Sequence, residues 1–255
     1  TRLTDALTYI GALFFGAFSY LLLGSLLVDI VRLVDGAWLH LVPTAWYTPA
    51  GAEQIGGMLL GVILVVVAAG YLNAQRIRIR RLEITVPKHN AVHETLRVTM
   101  ISDMHMGAII GRRMVRQMVD RINETDPDIV LMCGDQMDGN PHPAMQKDLG
   151  ELLREIRSRH GVFAITGNHE YIGHAETSCA YLEEHGIRML RDRVAEAAGV
   201  HLIGREDRAL RQFDGSDRND SGAFRRWYPF PCHHVRAMVI LPSLPVSMYS
   251  RLASR

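Results

Sequence analysis

Cysteine is scarce in this chain: Cys133, Cys179 and Cys232 are its three, and none stands in C-x-x-C spacing. An odd, scattered set builds no disulfide framework and suits a reducing compartment. An excess of one charge sign is also missing. A formal net charge of +1 gives no general electrostatic case for nucleic-acid binding, and none is expected. Neither G-x-G-x-x-G nor G-x-x-x-x-G-K-[ST] occurs, so the common nucleotide-cradling loops are excluded.

What the chain has is charge-free length. Residues 9–28 run for twenty positions and residues 55–72 for eighteen without a charged side chain. As helices these reach about 27–30 Å, enough to cross a hydrocarbon core. A buried core helix is rarely apolar on every face for that distance, so two transmembrane helices are expected. The rival reading of the first run, a signal peptide, lacks a basic leading region and a small-residue cleavage site. The chain starts at Thr1 rather than Met, which is what a fragment with preceding spans would show. Gly11, Gly16 and Gly24 in the first run and Gly56, Gly57, Gly61 and Gly70 in the second would permit close helix packing.

Between the runs, Asp29, Asp35 and Glu53 outnumber Arg32, whereas Arg76, Arg78, Arg80 and Arg81 follow the second run. The positive-inside rule then puts the arginines and the soluble part in the cytoplasm, at the inner or plasma membrane. These arginines read either as a stop-transfer flank or as a cradle for anionic headgroups of the lipid bilayer. Trp38, Trp46 and Tyr47 suit an interfacial belt. Alternation across residues 77–86 predicts a strand leading into the soluble domain, ended by Pro87.

Beyond residue 95 the chain changes to an α/β rhythm. Residues 96–101 (LRVTMI), 128–133 (DIVLMC) and 161–166 (GVFAIT) are short apolar runs, each followed by polar residues: SDMH, GDQMD and GNHE. Helical patterns fill the gaps at residues 112–123 and 144–159. Asp103, Asp135 and Asn168 are 32 and 33 residues apart, about one βαβ step. Three parallel strands would therefore gather Asp103, His105, Asp135, Asn168 and His169 at one carboxyl edge, where such sheets carry their chemistry. Asp103 and His105 would point the same way from an extended backbone. Carboxylate and imidazole converging on one point suit a divalent metal. Residues 175–185 read as a helix stopped by Gly186, and residues 186–190 and 199–204 as strands of a second sheet layer. Cys133 reads as a small apolar core residue.

DMH, GDQMD and GNHE, in this order and spacing, resemble the calcineurin-like metallophosphoesterases over roughly residues 84–208. With the apolar runs, the chain is similar to the membrane-associated branch that includes UDP-2,3-diacylglucosamine hydrolases. The resemblance implies two N-terminal transmembrane helices followed by a metallophosphoesterase sandwich. It implies two divalent ions (Mn, Fe, Zn or Mg), with Asp103 and His105 holding one, Asp135 bridging and Asn168 on the second. His169 would face the phosphate or leaving group, and Asp138 and Glu170 would support from behind. The implied activity is hydrolysis of a phosphodiester or pyrophosphate bond in a phosphoester substrate, a lipid-linked one such as UDP-2,3-diacylglucosamine being a candidate.

The expected domains are a membrane region at residues 1–75, a basic linker and strand at 76–95, the metallophosphoesterase part at 96–213 and an atypical tail at 214–255. The family pattern calls for a late strand ending in histidine and then Gly-His-x-His, which the tail does not contain. His233-His234 is the nearest match, yet adjacent strand residues face opposite ways. The tail therefore reads as truncated or frame-shifted. An alternative function follows: a membrane-tethered, non-catalytic remnant that binds a phosphate ligand or a partner protein.

Overall fold

Each apolar run became a helix longer than the run itself. A computed structural model describes residues 2–85, 94–213, 215 and 239–242, and divides into two units, Thr1–Arg78 and Ile79–Arg255. In the first, α1 (Arg2–Val34) and α2 (Pro49–Ala74) form a helical hairpin, each helix long and apolar enough to cross a membrane. Thr48 caps α2 by accepting the Gly51 amide, and Pro49 occupies the first helical position, where a missing N–H costs nothing.

The connecting turn is ordered by Asp35, whose carboxylate accepts from the amides of Leu41 (2.6 Å) and Val42 (3.0 Å) and from the Tyr47 hydroxyl (2.7 Å). Arg32 donates to the Trp46 carbonyl, and the Trp38 and Trp46 rings stay exposed. Of the span glycines expected to admit a neighbouring helix, only Gly24 does so: a Cβ there would meet Leu59 Cδ1 at 2.7 Å. Gly11, Gly16, Gly56, Gly57, Gly61 and Gly70 have nothing within 4 Å.

The second unit is mixed α/β. Strands β1 (Val98–Ile101), β2 (Ile129–Cys133), β3 (Val162–Ile165) and β4 (Arg188–Met189) form one parallel sheet in that order. A second, antiparallel sheet holds β5 (Arg193–Ala197), β6 (Val200–Gly204) and β7 (Val239–Pro242). The β5–β6 link is Ala198-Gly199, both at positive φ (51° and 69°), as a tight two-residue hairpin requires. In β2 and β3, Val130, Met132, Val162 and Ala164 join the core that includes the helices. Ile129, Leu131, Phe163 and Ile165 join the core shared with β5 and β6. Burial on both faces explains why these strands read as continuous apolar runs.

Four expectations change. Residues 77–85 carry no strand: the Ile/Arg alternation was regular, but no ladder partner meets it among the described residues. Residues 188–189 extend the first sheet beside β3 rather than joining the second layer, because the crossover through α7 (Ala175–Glu184) returns them parallel to it. The helix expected over 144–159 is broken into α4 (His142–Gln146) and α5 (Gly150–Leu153), because Asp148 sits at φ 50°. The apolar residues that suggested it, Leu149, Leu152, Leu153 and Ile156, are all buried regardless. Within the tail read as atypical, residues 239–242 form β7, paired with β6; the rest of it beyond Gly215, with His233 and His234, lies outside the described residues.

Candidate metal centre

The loops leaving β1 and β2 run side by side and continue the sheet's hydrogen bonding past its regular end. Asp103 donates its amide to Gly134 (3.1 Å), His105 to Asp135 (3.0 Å) and Met106 to Gln136 (2.8 Å). Met104, Met106 and Met137 turn inward and are buried. Asp103, His105 and Asp135 all adopt positive φ (55°, 45° and 55°), which costs a non-glycine residue on the order of 1–2 kcal/mol each. So Asp103 and His105 do converge, with Oδ1 3.9 Å from Nε2, but through left-handed backbone and not through a continuing strand.

The third loop is drawn in by two carboxylates. Glu170, fully buried, accepts from the amides of Asp135 (3.0 Å), Met137 (3.0 Å) and Gly167 (2.7 Å). Burial pushes its carboxyl above the usual range, against the lowering effect of those three amides. Asp135 Oδ1 accepts the His169 amide at 2.9 Å, at the N-terminal turn of α6 (Asn168–Ile172). Gly134 and Gly167 make the approach possible, since a Cβ on Gly134 would meet Gly167 Cα at 3.0 Å and one on Gly167 would strike Asp135 Oδ1.

The result is a half-open cluster. The His105 and His169 rings meet edge to face with centroids 4.4 Å apart, and one ligand atom each from His105, Asp135 and His169 fall within 4.8 Å of one another. Asp138 Oδ1 lies 3.7 Å from His105 Nδ1 and 3.8 Å from His169 Nδ1, between the two rings. Asn168 stands at the exposed start of α6. Hard carboxylate oxygens beside imidazole nitrogens are the donor chemistry of divalent cations such as Mn, Fe and Zn, so the residues fit such ions.

Family comparison agrees with the geometry. The profile described as calcineurin-like phosphoesterase matches residues 96–227, half of the chain. The chain belongs to this family. Its members hydrolyse phosphoester bonds with the help of divalent metals. Among curated relatives, a "Transmembrane protein with metallophosphoesterase domain" from Danio rerio is 33% identical over 116 residues, 44% of this chain and 26% of that protein. An "Uncharacterized metallophosphoesterase" of Helicobacter pylori is 29% identical over 109 residues, 43% of this chain and 29% of the relative. The "UDP-2,3-diacylglucosamine pyrophosphatase LpxG" of Chlamydia trachomatis is 28% identical over 114 residues, 45% and 34% of the two chains. The matches thus span roughly a third or less of these relatives' length. No solved structure matches.

Arg76, Arg78, Arg80 and Arg81 are exposed on backbone that is neither helix nor strand. Cys133 and Cys179 are held as thiols, pushed up to about 11 and about 12 by burial, which removes both as nucleophiles near neutral pH. A second acidic and histidine group, Asp148, Glu151 and His185, sits at α5 and α7, where Arg154 already pairs with Glu151 at 2.9 Å. Sequence reasoning missed the buried polar residues after β6, Arg205 and Glu206. The signal was available: like the three motifs, they follow directly on an apolar strand.

Proposed function

We propose that this phosphoesterase is membrane-anchored and hydrolyses a phosphodiester or pyrophosphate bond presented at a bilayer, with its catalytic unit on the cytoplasmic side of the inner or plasma membrane. The observation that carries the reading is the convergence of His105, Asp135 and His169 on one half-open cluster, with Asp103 3.9 Å from His105, in a chain that also has two membrane-length helices. Asp103 and His105 would hold one divalent ion and Asp135, whose carboxylate has two oxygens, would bridge to a second. Asn168 would contribute a neutral carbonyl oxygen there, avoiding further negative charge beside an anionic substrate. When bound, such ions offset phosphoryl charge and acidify water.

The chain's own residues supply the rest. His169 is available to stabilise charge on the substrate or to protonate the leaving oxygen, a contribution typically worth about 10²–10⁴-fold. Asp138 places a carboxylate between the two imidazoles, and Glu170 fixes the spacing of two loops through backbone amides. The exposed arginines at 76–81 would hold anionic headgroups of the bilayer. A lipid-linked nucleotide pyrophosphate, the class named for the Chlamydia relative, is the substrate candidate.

A second reading counts His169 among the metal donors, favoured by its distance to His105 and Asp135. Metal analysis of the detergent-solubilised chain, with hydrolysis of bis(p-nitrophenyl) phosphate and of a lipid-linked pyrophosphate under Mn, Mg and Zn, tests both. About two ions per chain and metal-dependent turnover are expected. His169→Ala should keep the metal and lose rate; loss of metal selects the second reading. Metal content well below one ion with no turnover would leave the non-catalytic remnant that binds a phosphate ligand or a partner protein.

A further inference from the structure

The Asn168–His169 pair rides on a very short helix. Five residues of α6 leave few internal hydrogen bonds to fix its direction, so its position depends on tethers. One tether is Glu170, described above. A second comes from the opposite side, from the segment after β6 that the metal cluster does not include.

Glu206 is buried, and one carboxylate oxygen accepts from both the Thr166 hydroxyl (2.6 Å) and the Tyr171 hydroxyl (2.5 Å). Thr166 stands two residues before Asn168, and Tyr171 two residues after His169. A single oxygen therefore grips the chain on both sides of the pair. The other oxygen pairs with Arg191 Nε, and the Glu206 amide donates to Asp192 Oδ1 at 3.1 Å. Arg191 also reaches Glu176 at 2.6 Å, so its charge has a second partner. Downstream, Ala209 and Leu210 of α8 (Ala209–Phe213) cluster with Tyr171 and Ala175, so apolar contact reinforces the same junction.

We propose that Glu206 is a positioning residue of the phosphoester-hydrolysing site: through Thr166 and Tyr171 it sets where α6 presents Asn168 and His169. The alternative, a carboxylate that serves stability alone, predicts a different pattern of consequences. Hydrogen bonds to a carboxylate are roughly twice as strong as neutral ones, so removing the charge loosens the grip without removing volume. Arg191 keeps Glu176, so Glu206→Gln leaves no orphaned guanidinium.

The proposal rests on the phosphoesterase reading, and its test separates the two. In the full chain in detergent, Glu206→Gln should raise amide hydrogen exchange at Gly167 and His169 about tenfold or more, with β2 amides unchanged. That measurement needs no turnover, so it decides the tether even if hydrolysis is absent under every metal, which would sink the functional reading instead. With activity present, kcat should fall about 10–100-fold at nearly constant KM. In a His169→Ala background the same change should cost less than it does alone, because one of the two residues it positions is gone. Tyr171→Phe removes one of the two hydroxyls and should show both effects at smaller size; it carries the test if Glu206→Gln does not fold. Unchanged exchange at 167–169, or a full additional rate loss in the His169→Ala background, would overturn the assignment.

Discussion

Helices α1 and α3 (Arg112–Glu124) use apolar residues in opposite ways. In α3, Val115, Val119 and Ile122 are buried along one stripe while the arginines at 112 and 113, Asp120, Arg121 and Glu124 lie exposed. In α1, Leu22, Leu23, Leu26 and Leu27 are each more than half exposed, and no polar face exists. A stripe is stable in water because the core takes it; apolar residues exposed all round suit a bilayer. The contrast teaches that the two units answer to different solvents. The candidate metal cluster and core packing belong to one, the two membrane-length helices to the other, and substitutions should separate them.

The largest separation is expected at Asp135. Asp135→Asn keeps the side chain's size and can still accept the His169 amide, but removes the charge proposed to be shared by two cations. Hydrolysis should drop to background while membrane extraction with detergent and thermal unfolding stay near those of the unaltered chain. Turnover retained within a few-fold would remove Asp135 from the site. Next in size, His169→Ala should depress kcat by about 10²–10⁴-fold without changing membrane association, read from steady-state kinetics beside metal content.

Much of this contrast was legible in the sequence, and the reasons differ by residue. The spans were legible because twenty and eighteen uncharged positions have few other uses. β2 and β3 were legible because both their faces are buried, and the places of Asp103, Asp135 and Asn168 just past strand ends because a βαβ repeat sets their spacing. The break at Asp148 was not, since apolar periodicity reports burial and Leu149 to Ile156 stay buried whether or not the backbone is helical. Nor were the left-handed turns at Asp103, His105 and Asp135, which depend on the neighbouring loop's carbonyls. Glu206 meets Thr166 and Tyr171 across 40 and 35 residues, a contact that no local spacing encodes.

The packing half of the contrast is tested by one substitution made in both solvents. Leu152 is fully buried in the catalytic unit, so Leu152→Ala should destabilise that unit by about 2–5 kcal/mol, measured by denaturant unfolding followed by near-UV circular dichroism. Leu23 is 63% exposed on α1, and Leu23→Ala should leave the same transition unmoved. Equal losses would mean that α1 is buried in a core and not lipid-facing.

The smallest effect concerns the membrane unit alone. Gly24 faces Leu59, and any side chain there needs room now held by a leucine methyl, the end of a flexible side chain that can shift in part. Gly24→Leu should therefore weaken the α1–α2 hairpin by about 1–3 kcal/mol rather than abolish it. Gly61 has nothing within 4 Å, so Gly61→Leu adds apolar surface without displacing a neighbour. Titration of the micellar protein with SDS, following loss of the hairpin by energy transfer between labels on the two helices, should lower the midpoint for Gly24→Leu only. Hydrolysis should change little in either variant, because neither position belongs to the unit that carries the metal cluster. Equal midpoints for the two would show that the hairpin does not depend on close approach at Gly24. A loss of activity in Gly24→Leu matching that of His169→Ala would show that attachment and catalysis are coupled after all, and the division between the units would have to be redrawn.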